Sequence, residues 1–209
     1  KKAIQYFSDA AKQDHSEAQF LLGFIYSKDA NYLRDIKKAI HYYSLAANHN
    51  HRDALFNLGS IYYEGTFIPR NIEKSVQFFT RAAQLNHQEA QFMLGIFYLK
   101  GEFVQQDVKK SIYYLSLASD QNNSKAQFIL GFLYEKENKL IQRDINKAIH
   151  YYSLSSKLNN LDAQFNLGVI YNEGKLVEKD IKKAIYYYSL AADQNHPKAQ
   201  FNLGVIYYK

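Results

Sequence analysis

The chain has 209 residues and a formal net charge of +6, and 47% of its residues are hydrophobic. This apolar content supports a sizeable core and argues against intrinsic disorder. The lack of Cys excludes disulfide scaffolds, thiolate metal sites and cysteine nucleophiles. No apolar run approaches the ~18 residues of a membrane span. The start Lys1-Lys2-Ala3, without an initiator Met, indicates a segment of a longer protein. The lack of Cys and of a signal-peptide pattern slightly favours a soluble, cytoplasmic protein but does not fix the compartment.

One unit of 36 residues is repeated along the chain. The string Ala-x-x-x-Leu-Gly-x-x-Tyr recurs in steps of 36, 36, 36, 37 and 36 residues, and it begins at Ala18, Ala54, Ala90, Ala126, Ala163 and Ala199. A second string, Lys-Ala/Ser-Ile/Val-x-Tyr/Phe, recurs with the same steps, and residues 35–51 and 180–196 agree at 14 of 17 positions. Such repetition is the signature of a repeat architecture. We predict a single domain over residues 1–209, with half repeats at both ends.

The second string predicts a helix, which we call the outer helix. Ile36, Ala39, Ile40 and Tyr43 lie three, four and seven residues apart, as on one face of a helix. The candidate N-caps are Asp35, Asn71, Asp107, Asp144 and Asp180. The predicted left-handed residues that end the outer helix are Asn50, Asn86, Asn122, Asn159 and Asn195, with Asp14 in the first unit.

The first string predicts another helix, the inner helix, which begins two or three residues later. So short a connection requires an antiparallel hairpin. Gly65, Gly101 and Gly174 are the predicted stops of this helix, whereas the units with Asp29, and with Glu137 or Asn138, should have differently shaped loops. Helices alternating with one period predict an all-α fold, a right-handed α-solenoid of antiparallel helix pairs.

These motifs resemble the Sel1-like repeat (SLR) family, a branch of the tetratricopeptide-type helical repeats. The resemblance rests on Ala-x-x-x-Leu-Gly-x-x-Tyr, then x-x-Gly, then Asp-x-x-Lys-Ala-x-x-Tyr-x-x-Ala-Ala, and it covers essentially all 209 residues. The 36-residue step favours this branch over the 34-residue tetratricopeptide period. The resemblance implies a scaffold or adaptor that binds other proteins.

Three positions of each inner helix point away from the helix-pair core, and we call them together the inner-helix wall. In the first unit these positions are Phe20, Phe24 and Ser27. The first is Phe in all six units. The second and third vary, and the third includes Tyr63, Leu99 and Glu135. The candidate partner-binding residues on this wall are Phe20, Phe24, Phe56, Tyr63, Phe92, Ile96, Leu99, Phe128, Phe132, Phe165, Val169, Phe201 and Val205. The wall would form either a concave apolar groove for a peptide or helix, or packing between neighbouring inner helices. The sequence leaves both open.

Three other recurring residue types have simpler interpretations. The Lys pairs that open the outer helices favour a solvated face over a site for nucleic acid or acidic lipid, since acidic residues are interspersed. One His per repeat cannot converge on a metal ion, so we predict no metal site. The recurring Gln, as at Gln127, is expected to hydrogen-bond backbone of the next unit.

The sequence therefore predicts a non-enzymatic scaffold that binds a protein or peptide partner on the inner-helix wall, with no cofactor. The alternative is structural self-assembly, in which uncapped ends stack head to tail. Nucleic-acid binding is less favoured. Some cysteine-rich relatives of the SLR family have been linked to binding or hydrolysing β-lactams. Catalysis is nevertheless not expected, because the chain lacks their cysteines and any nucleophile–base pair.

Overall fold

The computed structural model describes residues 2–28, 35–137 and 141–208. Within these ranges all regular secondary structure is helical. The helices are α1 (Lys2–Ala11), α2 (Ser16–Lys28), α3 (Ile36–Asn48), α4 (Arg52–Glu64), α5 (Ile72–Gln84), α6 (Gln88–Lys100), α7 (Val108–Asp120), α8 (Ser124–Glu135), α9 (Ile145–Lys157), α10 (Leu161–Glu173), α11 (Ile181–Asp193) and α12 (Pro197–Tyr208). The odd-numbered helices are the predicted outer helices and the even-numbered ones the inner helices. The predicted all-α architecture is confirmed.

The helices form two compact units, residues 1–107 with α1–α6 and residues 108–209 with α7–α12. Within each unit every helix packs against its neighbours in the chain, and an inner helix packs more extensively on the outer helix that follows it than on the one before. Packing between sequence neighbours is typical of a solenoid. That residues 1–209 form one domain stays a prediction.

The predicted N-caps begin α3, α5, α9 and α11. Oδ1 of Asp35 accepts a hydrogen bond from the Lys38 N–H at 3.0 Å, and Asn71, Asp144 and Asp180 cap their helices in the same way. The backbone N–H donors hold the pKa of the three Asp carboxyls below its ordinary value. The start of these outer helices is therefore fixed locally, as predicted.

The hairpin turns contain the predicted left-handed residues. Their φ angles lie between 57° and 64° at Asp14, Asn50, Asn86, Asn122, Asn159 and Asn195. The predicted glycine stops are also confirmed, because Gly65, Gly101 and Gly174 cap α4, α6 and α10 in the left-handed conformation. Helix α8 ends differently, with an extended C-cap at Lys136. Asp29 and Asn138 lie outside the described residues.

The glycine that recurs in each inner helix has no side chain, and this leaves room for an aromatic ring of the next outer helix. Phe79 and Tyr152 are 1% and 0% exposed. A Cβ atom on Gly59 would lie 2.7 Å from the Phe79 ring, and one on Gly131 would lie 2.6 Å from the Tyr152 ring. Protein interiors are already close-packed, so a methyl group there would displace the ring. Glycine is thus needed for the close approach of the two helices.

The recurring Gln hydrogen-bonds the outer helix of its own hairpin. Nε2 of Gln127 donates to the Ser119 carbonyl at 3.1 Å. The same bond to a carbonyl eight residues earlier is made by Gln19, Gln91, Gln164 and Gln200. The prediction of a bond to the next unit is therefore wrong. Helix side chains lean toward the N-terminus, which brings this amide to the last turn of the preceding helix.

Leu55 takes the place of this Gln in α4, and a different side chain replaces the missing hydrogen bond. The Ala47 carbonyl, eight residues before Leu55, accepts a hydrogen bond from Nη2 of Arg81 at 2.9 Å. Arg81 lies on the following outer helix, α5. The carbonyl is therefore satisfied from the other side, and Leu55 is fully buried.

Candidate functional site

The three positions of the inner-helix wall differ in exposure. At the first position Phe20, Phe56, Phe92, Phe128 and Phe165 are all half-buried. At the second position Phe24 and Phe132 are 39% and 46% exposed. The second and third positions also include Tyr63, Ile96, Leu99 and Val169, which are half-buried. On α12, Phe201 and Val205 are 70% and 39% exposed.

In the unit of residues 1–107, the first-position Phe packs between two following helices. The Phe20 ring lies 5.9 Å from the Tyr43 ring of α3 and stacks on the His51 imidazole, with centroids 4.5 Å apart and planes 17° apart. Phe56 repeats the arrangement against Phe79 and His87. The partners therefore come from the next outer helix and from the start of the next inner helix.

The unit of residues 108–209 repeats these contacts. Phe165 lies 5.9 Å from Tyr188 and stacks on His196 at 4.5 Å, and Phe128 lies 5.8 Å from Tyr152. The contacts support the packing interpretation for the first wall position. A binding role for the exposed edges of these rings stays a prediction.

The second wall position presents exposed rings with a lysine beside them. Nζ of Lys28 lies 4.6 Å from the Phe24 ring centroid, and Nζ of Lys136 lies 5.6 Å from that of Phe132. These are cation–π distances. Phe24 also contacts Phe20, with ring centroids 6.4 Å apart, so its apolar surface continues into the first wall position. In α2 the wall thus presents a continuous aromatic patch.

The third wall position joins a hydrogen-bond network in the unit of residues 108–209. The Tyr152 hydroxyl donates to Oε2 of Glu135 at 2.7 Å and accepts from Nδ2 of Asn166 at 3.1 Å. Burial, followed by the Glu135 carboxylate, raises the pKa of Tyr152 far above its ordinary value. Glu135 is 19% exposed and also pairs with Lys136 at 3.7 Å. This network fixes a carboxylate on the wall.

The composition of this network follows a rule that sequence reasoning missed. Where the outer helix has a central Tyr, the next inner helix has an Asn opposite it, as in the pairs Tyr43 with Asn57, Tyr152 with Asn166, and Tyr188 with Asn202. Phe79 is paired with Met93 instead. The correlated change within the repeats is the signal that could have revealed these pairs.

The inner-helix histidines are N-caps, which the sequence analysis did not predict. Nδ1 of His15, His51, His87 and His196 accepts a hydrogen bond from the backbone N–H three residues later, at 3.1 to 3.3 Å. At the same position of α8 and α10 the acceptor is the side-chain oxygen of Asn123 and Asn160. The alternation of His with Asn, a preferred N-cap, was the available clue.

In four repeats a lysine in the first turn of the outer helix belongs to an aromatic stack. Nζ of Lys183 lies 4.9 Å from the Tyr171 ring, and this ring stacks on Tyr187 with planes 5° apart. Lys38, Lys74 and Lys147 stand over Tyr26, Tyr62 and Tyr134 in the same way. Lys183 also pairs with Asp180 at 3.4 Å. These contacts support the interpretation of the lysines as part of a solvated structural face.

In residues 2–28, 35–137 and 141–208, no three His, Asp or Glu side chains are grouped so that they could hold a metal ion. None of the helices in those ranges is long and apolar enough to cross a membrane.

The repeat boundaries agree with a known sequence family. The sequence profile of the Sel1 repeat matches residues 1–15, 16–51, 52–87, 88–123, 124–160, 161–196 and 197–209. The chain belongs to the Sel1 repeat family. Each complete Sel1 repeat here consists of an inner helix and the outer helix that follows it.

Solved structures share the Sel1-like repeat fold. A protective antigen of uropathogenic Escherichia coli with an SLR fold is 32% identical, with a TM-score of 0.89 over 100% of this chain and 45% of that one. A Sel1 repeat protein from Oxalobacter formigenes is 29% identical, with a TM-score of 0.81 over 99% of this chain and 84% of that one. The chain thus spans 45% of the length of the antigen. The predicted solenoid is confirmed.

An immunity protein from Pseudomonas aeruginosa is 24% identical, with a TM-score of 0.51 over 91% of this chain and 72% of that one. Similarity at this level shows the fold alone. No curated protein sequence matches the chain.

Proposed function

We propose that this Sel1 repeat chain is a non-enzymatic scaffold that binds a segment of a partner protein on its inner-helix wall. The observation that carries the proposal is the exposure of Phe24 and Phe132, with Phe24 beside the packed ring of Phe20. Exposed aromatic side chains next to apolar surface are the usual centres of binding energy in protein interfaces. Membership of the Sel1 repeat family supports the same role.

The contacts distinguish a packed position of the wall from an exposed one. The first-position Phe rings are needed inside the fold, because Phe20 and Phe128 contact buried Tyr43 and Tyr152. The second position varies from one unit to the next, and its two Phe rings are exposed. Variation at exposed positions allows each repeat to recognise a different part of a partner. We therefore assign specificity to the second and third positions.

The test separates binding from folding. A partner captured with the full 209-residue chain is purified, and its dissociation constant is measured by titration calorimetry with the wild type and with Phe24→Ser and Phe132→Ser. We expect each substitution to weaken binding by about tenfold or more, as for interface hot spots, with a small change in melting temperature. Phe128→Ala should instead lower the melting temperature.

Tyr113 and Tyr186 provide the matched control. These rings are 59% and 58% exposed on outer helices, so their replacement by Ser removes a comparable ring from a different face. Binding should be unchanged in both variants. Equal losses from the outer helices and the wall, or no loss from Phe24→Ser and Phe132→Ser, would contradict the proposal.

Self-association through the terminal helices is a second candidate function. Tyr6 on α1 and Tyr207 on α12 are 74% and 70% exposed. At the equivalent positions inside the chain, Tyr26 and Tyr42 stack on each other at 5.7 Å. In head-to-tail association of two copies of this chain, Tyr207 of one copy would stack on Tyr6 of the next. Sedimentation over a concentration series tests this: a concentration-dependent assembly that Tyr207→Ser abolishes supports it, and a monomer throughout contradicts it.

A further inference from the structure

A hollow of about 180 Å³ opens beside Ser27 in the unit of residues 1–107. Its lining includes Tyr43, whose hydroxyl lies 3.1 Å from Oγ of Ser27. Ile61 and Phe67 form part of the apolar lining, and Phe67 is 53% exposed. The hollow therefore combines apolar surface with hydroxyl groups at a third-position wall residue.

The next repeat fills the corresponding place with an aromatic ring. Tyr63 stands 36 residues after Ser27, and its ring lies 5.5 Å from Phe97 and 5.8 Å from Phe103. Phe97 and Phe103 occupy the positions that Ile61 and Phe67 hold one repeat earlier. The guanidinium of Arg70 covers the Tyr63 ring at 5.0 Å. The hollow thus lies where the neighbouring repeat holds a phenol ring of its own.

Small residues open this space. Ser27 lies at the position that Tyr63 holds in the next repeat, and Ser60 lies at the position that Ile96 holds in the next repeat. An apolar cavity of about 150 Å³ is large enough for benzene, so a hollow of about 180 Å³ admits one aromatic ring. The volume therefore suits a single side chain better than a larger cofactor.

Polar groups in the lining match a hydroxyl on the ring. Hydroxyl groups of Ser27 and Tyr43 are present together with the Asn57 amide. In the other unit the equivalent Asn166 donates to a phenol oxygen. Asn57 is thus placed to bond an incoming hydroxyl.

We propose that this hollow binds the tyrosine side chain of a partner segment that lies on the inner-helix wall. The idea that the tyrosine belongs to a partner protein rests on the proposed scaffold function. The fit of a phenol ring rests on Tyr63 and its surroundings alone. Phe24 lies on the same helix less than one turn before Ser27, so one bound segment can contact both.

The test uses 4-methylphenol, the tyrosine side chain without its backbone, and the full 209-residue chain. Methyl spectra report on Ile61 and Ile36, which line the hollow. We expect both methyl signals to shift and saturate, with 4-methylcyclohexanol binding about tenfold more weakly because it lacks the aromatic face. Absence of a saturable shift in the folded wild-type chain overturns the proposal, as does equal binding of the two compounds.

Two substitutions taken from the chain itself close the hollow. Ser27→Tyr introduces the ring that Tyr63 supplies in the next repeat, and Ser60→Ile introduces the residue found at Ile96. Either variant, once shown to be folded by its helical circular dichroism, should abolish the methyl shifts, whereas Ser27→Ala should retain them. Unchanged shifts in a folded blocking variant would overturn the assignment of the site.

The two proposals fail separately. If the chain binds 4-methylphenol in the hollow but captures no partner, the result supports the phenol site and rejects the proposed scaffold function. If a partner binds Ser27→Tyr as tightly as the wild type, the result supports the scaffold function and rejects the binding of a partner tyrosine in the hollow.

Discussion

Nε2 of His87, the N-cap of α6, lies 3.3 Å from Oδ1 of Asp53 on the preceding inner helix, α4. The other ring nitrogen accepts a hydrogen bond from the Ala90 N–H at 3.2 Å. An imidazole that accepts at Nδ1 must be unprotonated there, so the proton of the neutral ring lies at Nε2 and is donated to the carboxylate. The neutral ring therefore makes both the cap of α6 and the contact with α4, and protonation at Nδ1 removes the cap.

His87 should make the stability of the chain depend on pH. Burial lowers the pKa of His87 below its ordinary value, with Asp53 opposing and Arg52 adding to the shift. As the pH falls below about 6.5 the unfolded chain takes up a proton at this residue before the folded chain does. The stabilisation present above that pH is then lost as the pH falls through the lowered pKa. Urea unfolding at pH 7.5 and 5.0 measures the loss.

His87→Asn is the matched control, because Asn123 and Asn160 cap the equivalent helices. This variant should keep the cap and show a smaller fall in the free energy of unfolding between the two pH values. His87→Ala should lose about 1 kcal/mol at pH 7.5 through loss of the cap. Identical pH profiles for His87→Asn and the wild type would show that His87 does not contribute.

Gly131→Ala and Gly204→Ala should have opposite effects although the residues occupy equivalent positions. A Cβ on Gly131 would lie 2.6 Å from the buried Tyr152 ring, and one on Gly204 has nothing within 4 Å. We expect Gly131→Ala to destabilise the chain by about 1–3 kcal/mol through overpacking. Gly204→Ala should be neutral or up to about 1 kcal/mol stabilising through helix propensity. Chemical denaturation gives both values, and equal effects would contradict the packing assignment.

Arg81→Ala should be rescued by Leu55→Gln. The first change removes the Arg81 hydrogen bond to the Ala47 carbonyl. The Asn50 N–H still donates to that oxygen at 3.0 Å, so we expect a loss of about 1 kcal/mol, the net worth of one hydrogen bond. The second supplies the amide that Gln91 and Gln127 use in other repeats. The double variant should recover most of the lost free energy of unfolding. A double-mutant cycle without coupling would reject this exchange of donors.

Tyr152→Phe and Asn166→Met should also be coupled. Tyr152→Phe alone removes the hydroxyl shared by Glu135 and Asn166, and it should lower the free energy of unfolding by about 1–3 kcal/mol. Adding Asn166→Met gives the combination of residues found at the equivalent positions Phe79 and Met93 earlier in the chain. Thermal denaturation of the two variants should show the double variant as the more stable. The opposite order would mean that the Asn is not kept for its phenol partner.

Most of the fold was predictable because the same local signals occur six times. The Asp35 cap, the left-handed Asn50 and the Gly65 stop each act within one turn, so the sequence pattern shows them directly. The direction of the Gln127 hydrogen bond was predicted wrongly, because the lean of the side chain was not considered. The His87 cap was missed because the imidazole nitrogen was not recognised as equivalent to the Asn123 oxygen.

The candidate site was less accessible from sequence. Helical geometry gave the faces of Phe20 and Phe24, but the division into packed and exposed rings depends on His51 and Tyr43, which follow later in the chain. The hollow beside Ser27 depends on the absence of side-chain volume. A missing ring becomes visible when Ser27 is compared with Tyr63 in a folded structure.

The Tyr–Asn pairs have a consequence for the evolution and engineering of this chain. Tyr152 and Asn166 lie in successive Sel1 repeats, residues 124–160 and 161–196. A duplicated or transplanted repeat therefore carries only the Tyr or Phe of such a pair. It fits a new position when the following repeat has the matching Asn or Met. Recombination between repeats is restricted to compatible junctions, so the order of the repeats is itself inherited information.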